Sequence, residues 1–346
     1  MSRIQETTNN FNKTIYRLFF LLIVCSSCKH NPLIIDVSNI EVNLEVSHFE
    51  QELFEADTTQ MEHLNNLWLS KYGFLYEAFC SEMIGEGLPT DSFLPSRLSK
   101  MVNHPDMREI YGSIKKEFSN FSSYKSELTE AFKHFKYYFP QSSIPKIVTF
   151  YSNFNANVFP SDTILGIGLD MYLGTDHDLV KKIPGEFIPQ FIKNKMNSEL
   201  LTADAMKYFL FYKFYQSTGE DLLHKMIDAG RIMYLLDAMA PEKPQHLKMG
   251  FTQKEWKWCE ANELNIWGVL IKENYLYSKD FTVIQKFMEL APFTALLPKE
   301  SPSMTGVWVG YKMFKNYAEK NKLSVNEIVT KKHEAKNVLK LYKPVK

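Results

Sequence analysis

From residue 202 to the C-terminus the apolar side chains return every three or four positions, segment after segment, with prolines at the joints. The stretches 202–215, 218–239, 252–273, 281–290, 305–319 and 325–341 all carry this period, and so does 183–196 just before them. A chain built this way must bury one stripe of each helix against the others, which excludes an all-β body. Three stretches begin with a hydroxyl followed three residues later by an acid: Thr218 with Asp221, Thr252 with Glu255 and Ser324 with Glu327. In each pair the hydroxyl is expected to cap a backbone N–H while the acid reaches back. Pro241, Pro244, Pro292, Pro298 and Pro302 mark joints where helices cannot continue.

The first half is mixed. Helical period runs through 61–83, where Leu64, Leu67, Trp68, Leu75, Phe79 and Met83 share a face, and through 94–102, 107–118 and 124–139. Three stretches read as strands. Within 33–46, Ile40, Val42, Leu44 and Val46 alternate with polar residues; 144–151 (IPKIVTFY) is rich in β-branched and aromatic residues; 164–169 is an apolar run with two glycines. The expected fold is therefore α+β, predominantly helical with a small β-sheet, and one α-rich globular domain is expected over 28–346.

The segment 1–27 reads as a signal peptide. Arg3, Lys13 and Arg17 supply positive charge, 18–24 (LFFLLIV) is a short apolar run, and Ser26 and Ser27 are small residues at a cleavage point. Cys28 follows directly. This arrangement resembles the lipobox of bacterial lipoproteins, with Cys25 where the pattern prefers Leu or Val. It implies cleavage before Cys28, acylation of that cysteine, and a lipid-anchored protein facing the periplasm or the exterior. No apolar run approaches the roughly 20 residues that span a bilayer as a helix. Forty basic side chains balance forty acidic ones, so charge gives no reason to expect nucleic acid as a partner. Cys80 and Cys259 lie far apart in helical patterns; their spacing is compatible with a disulfide in an oxidising compartment or with two buried thiols.

Residues with chemistry gather most densely in 160–178 (PSDTILGIGLDMYLGTDHD). Gly166 and Gly168 do not make a dinucleotide fingerprint, because Leu169 and Asp170 follow where the helix-opening glycine is needed. Such glycines mark a bulge or a close backbone approach. Asp170 among bulky apolar neighbours must be hydrogen-bonded or paired if buried. His177, between Asp176 and Asp178, fits a turn and helix N-cap better than a cation site. The chain has no H-E-x-x-H; His333-Glu334 is followed by Asn337 where the second histidine belongs, on a lysine-rich face. It has no G-x-S-x-G elbow and no Walker loop. Trp256, Trp258, Trp267 and Trp308 at helical spacing read as core. No cofactor and no metal is expected from these residues.

Four ordered motifs carry a family resemblance: Ile164-Leu-Gly-Ile-Gly-Leu-Asp-Met-Tyr-Leu-Gly174; Met226-Ile-Asp-Ala-Gly-Arg-Ile-Met-Tyr-Leu-Leu-Asp237 closed by Pro241; Trp258-Cys-Glu-Ala-Asn-Glu263 with Trp267; and Gly306-Val-Trp-Val-Gly310. In this order they resemble the gliding-motility lipoprotein GldB family, envelope lipoproteins of Bacteroidota tied to surface gliding and to the type IX secretion apparatus. The resemblance implies a role among envelope protein partners and no reaction. A fainter likeness bears on fold. A small sheet, a helix, then a helix reading small-Gly-x-x-x-Tyr is similar to H-E-x-x-H peptidases whose third ligand lies in a Glu-Gly-x-Ala-x-Tyr helix. In that register Asp204 and Tyr208 stand where two histidines are expected, and Ala229 where the glutamate is. The likeness implies a zincin-like scaffold lacking its metal ligands, with a peptide cleft retained. Two functional expectations follow: a non-enzymatic envelope binding protein, or a metal-free, peptidase-like hydrolase using Asp170, His177 or Asp204.

Overall fold

A computed structural model of the protein describes residues 33–345. The chain divides between Asp36 and Val37, and the architecture below is that of the unit from Val37 onward. Strand β1 (Val46–His48) leads into helix α1 (Phe49–Phe54), followed by α2 (Met61–Tyr72), α3 (Phe74–Ala78), α4 (Leu94–Asn103), α5 (Pro105–Glu117) and α6 (Ser122–Tyr138). Then come β2 (Lys146–Phe150), β3 (Val158–Pro160) and β4 (Ile164–Gly168). Two short helices follow, α7 (Asp178–Lys182) and α8 (Gln190–Lys193), then two long ones, α9 (Leu201–Phe214) and α10 (Leu222–Met239). The remainder is helical: α11 (Gln245–Met249), α12 (Gln253–Ala261), α13 (Glu263–Lys272), α14 (Phe281–Met288), α15 (Thr305–Asn321), α16 (Val325–Thr330) and α17 (Ala335–Leu341). The chain is mostly helical with a four-stranded mixed sheet, an α+β fold.

The sheet order is β1-β2-β4-β3, with β1, β2 and β4 parallel and β3 antiparallel at the edge. Parallel neighbours need long connections, and the α1–α6 layer supplies the one between β1 and β2. Phe49 anchors that layer, meeting the rings of Trp68, Tyr72, Tyr76 and Phe79 at centroid distances of 5.1–5.7 Å. Phe132, Phe135 and Phe209 join α6 to α9 in the same way. Asp170, in the 3-10 turn after β4, is fully buried and accepts from Ser152 N–H (2.9 Å), Ser152 Oγ (2.9 Å) and Phe154 N–H (2.5 Å). It thereby holds a turn in which Asn153 and Phe154 both have positive φ, of 56° and 58°, a costly conformation for side-chain-bearing residues.

Helix α10 is the centre of the helical half: all of its eighteen residues except His224 and Lys225 are buried. A helix that is apolar on every side belongs inside. Its main contact is with α15, where Gly230 faces Gly310 and the two backbones touch. A Cβ on Gly310 would collide with the Met226 carbonyl, and one on Gly230 with the backbone of Gly310. Both aspartates inside α10 have partners. Asp237 lies 2.7 Å from Lys248 Nζ and accepts from Tyr311 OH at 2.7 Å; Asp228 accepts from Thr218 N–H and Oγ, both at 2.8 Å.

Several sequence expectations need correction. Within 33–46 the alternation appears in burial, with Leu44 inside and Glu41, Asn43 and Glu45 outside, but the strand begins only at Val46 because no neighbouring strand lies alongside earlier. The 183–196 stretch is not one helix: Pro184, Gly185 and Pro189 interrupt it and leave only α8. Thr252 and Ser324 form the expected capping boxes, whereas Thr218 does not cap. Asp221 caps α10 through His224 N–H, and the Thr218 hydroxyl is spent on Asp228. The 61–83, 252–273 and 325–341 stretches are each divided into shorter helices. Cys80 and Cys259 are free, buried thiols, and burial pushes the Cys80 thiol up to about 12. Cys25, Cys28 and the segment 1–27 lie outside the described residues.

The α10–α15 contact makes a directional prediction. Gly310→Ala forces the helices apart and is expected to lower unfolding free energy by about 3 kcal/mol in urea titration. Gly268→Ala, on the exposed side of α13 where nothing stands within 4 Å, is expected to raise it by about 0.5–1 kcal/mol. Equal responses at the two sites would show that the glycine contact does not set the packing.

Candidate functional site

Helices α9, α10, α14 and α15 enclose a cleft of about 460 Å³, within the size range of small-ligand and peptide-anchor sites. From α9 it receives Asp204, Tyr208 and Phe211, one helical turn apart in succession, and from α10 Lys225, Ala229 and Met233, again one turn apart. Ile284 and Met288 of α14 and Val307 of α15 supply another part of the wall, while Met249 ends α11 and Met304 precedes α15. Four methionines give the surface flexible thioether chains that repack around different shapes.

One polar group is built into this apolar setting. Lys207 Nζ lies 2.6 Å from Asp204 Oδ1, with both side chains largely buried, and Tyr172 OH donates to Asp204 Oδ2 at 3.3 Å. Burial alone pulls the Lys207 ammonium pKa down, but the Asp204 charge and hydrogen bond outweigh it, so the net shift is upward and the ammonium is retained. Burial raises the Tyr172 phenol well above its ordinary value, the Asp204 charge adding to the effect, so Tyr172 acts only as a donor. Lys207 also lies 5.4 Å over the Tyr208 ring. Both carboxylate oxygens of Asp204 thus already hold donors. Lys195, also on the lining, is paired with Glu255 at 2.9 Å.

The four residues singled out from the sequence separate into two groups. Asp204 and Tyr208 share the cleft, together with Ala229. Asp170 lies elsewhere, enclosed by Ser152 and Phe154, and His177 accepts from Leu179 N–H at 3.2 Å as the N-cap of α7. Lys207, the partner that defines the polar end of the cleft, was missed by the sequence reading. Its three-residue spacing from Asp204 was the available signal. Trp308 is buried in α15; Trp256, Trp258 and Trp267 are partly buried, Trp256 against Trp308 and Trp267 against Tyr342. Among the described residues no three His, Cys, Asp or Glu side chains gather closely enough to hold a metal ion, and no helix is long and apolar enough to cross a membrane.

Fold and cleft together define a mostly helical α+β protein with a methionine-lined cleft beside its central helix. This chain belongs to the GldB family: the family model described as gliding motility protein GldB matches residues 30–344. Neither the curated proteins nor the solved structures contain a match to it. The family ties the protein to gliding motility.

Asp170 yields a pH prediction. Burial raises its carboxyl from 3.8 to about 6, partly offset by the hydrogen bonds from Phe154 and Ser152. The folded state then holds the Asp170 proton more tightly than the unfolded chain, so this residue's contribution to stability falls as pH rises from about 4 to about 6. The total fall is about 3 kcal/mol, and the contribution is flat above that window. Asp170→Asn removes the titration, so the stability difference between wild type and variant is expected to shrink over that window. A difference that grows with pH would show instead that the three donors keep Asp170 ionised.

Proposed function

We propose that this protein is a lipid-anchored component of the cell envelope that supports gliding motility, and the type IX secretion machinery associated with it, by holding a protein partner in its cleft and not by catalysis. The observation that carries this reading is the make-up of the cleft. Its walls are apolar and methionine-rich, and its acid is already committed to Lys207 and Tyr172. Such a surface gains affinity from apolar burial, while a locked ion pair marks one end and orients what enters. The anchor rests on Cys28 and the signal-like segment before it, and on membership of a family tied to gliding. An acyl-anchored body facing the periplasm or exterior is well placed to meet envelope proteins.

A second reading is favoured by one specific observation. Asp204, Tyr208 and Ala229, the positions that a zincin-like register aligns with two histidines and a glutamate, line the same cleft. The cleft would then descend from a peptidase groove and still receive an extended peptide, either as a pure binder or as a metal-free hydrolase. Zinc analysis and peptide hydrolysis by purified protein separate the readings: stoichiometric zinc with turnover overturns the binding account.

Two outcomes are expected in the native host. Cys28→Ala releases the protein from the membrane fraction and abolishes acyl labelling; unchanged fractionation without label in the wild type contradicts the anchor. Tyr208→Ala with Leu290→Glu alters two cleft residues that are 42% and 38% exposed, so folding should change by no more than about 1 kcal/mol. That double variant is expected to remain membrane-bound and folded while gliding is lost. Normal gliding by it would contradict use of the cleft.

A further inference from the structure

The face of α10 turned away from the cleft lines a second cavity, of about 450 Å³, which is predominantly polar. Its walls are Asp228 and Arg231 of α10, the 216–218 segment, and the 329–333 segment between α16 and α17. The two cavities lie on different faces of α10 because Lys225, Ala229 and Met233 form one helical stripe, and Asp228 and Arg231 belong to another.

Arg231 is the unusual residue here. It is 5% exposed, yet no carboxylate oxygen of the described residues lies within 4.0 Å of its guanidinium. Nη2 donates to the Phe214 carbonyl at 2.8 Å and Nη1 to the Ile328 carbonyl at a long 3.4 Å. These carbonyls lie at the C-terminal turns of α9 and α16, where partial negative charge favours a cation and fixes the side chain in place. They use only part of the five-donor fork, and Nε has no partner among the described residues. A buried cation is normally retained with a charged partner, since an unpaired one is costly. Asp228, held by Thr218, stays more than 4.0 Å away and acts on Arg231 through its charge without a direct contact.

The surroundings match an anion. Lys331 and Lys332 line the cavity with their side chains 60% and 76% exposed, each ion-paired with an acid that does not line it, Glu327 at 2.6 Å and Glu334 at 3.2 Å. Ser217, Thr218 and Thr330 also line it, but their hydroxyls already donate to the Gly219 carbonyl, Asp228 and the Asn326 carbonyl, so the anion donors are the cationic side chains. His333 is held neutral by burial, with Nε2 3.1 Å from the Ile328 carbonyl. Three cations thus line the cavity against one acid. A planar guanidinium with two ammonium groups matches the tetrahedral, multiply charged face of a phosphate better than a single carboxylate. We infer that this cavity is a phosphate-binding site, with Arg231 as its buried anchor and Lys331 and Lys332 at its rim. The phosphate comes either from a free phosphate compound or from a phospholipid headgroup; the chemistry at Arg231 is the same.

The test titrates purified protein with inorganic phosphate at low ionic strength, by calorimetry and by thermal midpoint. Saturable binding at millimolar phosphate or below is expected, with a rise in midpoint and a much weaker response to acetate. Lys331→Gln with Lys332→Gln alters exposed residues, so it keeps the fold, and is expected to weaken phosphate about tenfold or more. Arg231→Lys is expected to abolish binding; if that variant fails to fold, the double lysine variant still decides. Vesicles containing phosphatidic acid that compete with phosphate identify the headgroup source, and lack of competition with phosphate still bound identifies the free one. No saturable phosphate binding, equal affinity for acetate, or unchanged affinity in the double lysine variant would each overturn the assignment.

Discussion

The contact between Gly230 and Gly310 is the constraint on which the helical half of this protein depends. Two helices whose backbones touch leave no room for side chains between them, so α10 and α15 form a rigid pair around which the others are placed. With α10 buried on nearly every side, each polar residue on it needs a partner of its own. Asp228 has Thr218, Asp237 has Lys248 and Tyr311, and Arg231 has two helix-end carbonyls. A buried ion pair such as Asp237 with Lys248 adds little net stability compared with an apolar pair, but loss of either partner strands a charge. Residues of the Met226–Asp237 motif therefore read as packing and pairing requirements of one helix.

From this rigid pair the functional surfaces follow. The Lys225–Ala229–Met233 stripe gives α10 a wall in the cleft, and the small side chain at Ala229 leaves space that a longer one would fill. Asp204 and Lys207 neutralise one another at the polar end. A largely apolar, methionine-rich groove is suited to recognising apolar side chains of varied shape, which agrees with a protein whose family is defined by a role in motility.

Much of the fold was legible because its signals are local. The capping boxes at Thr252 and Ser324 need only four consecutive residues, and the strands at β2 and β4 are dense apolar runs with few alternatives. The failures have the opposite character. Thr218 carries the same capping signature, but a buried carboxylate ten residues on takes its hydroxyl. The 33–46 alternation is that of a half-buried extended chain, and whether such a chain joins a sheet depends on a strand about a hundred residues away. β3 spans three residues, too short to declare itself. At the site, Asp204 and Tyr208 share a helix face by spacing alone, so their proximity was readable. The place of Ala229 beside them on α10 was given only by the peptidase-like register, and that Asp170 is sealed off behind Ser152 depends on loop closure that no local pattern encodes.

The central claim is that α10, locked against α15, is the most cooperative element of the protein and the frame for both cavities. Native-state hydrogen exchange tests this most directly. Amides from Met226 to Asp237 are expected to exchange only through global unfolding, with an opening free energy equal to that from denaturant titration, while α1–α5 and the 183–189 segment open at lower cost. If the α10 amides exchange through local opening below the global value, α10 is not the frame and the account fails.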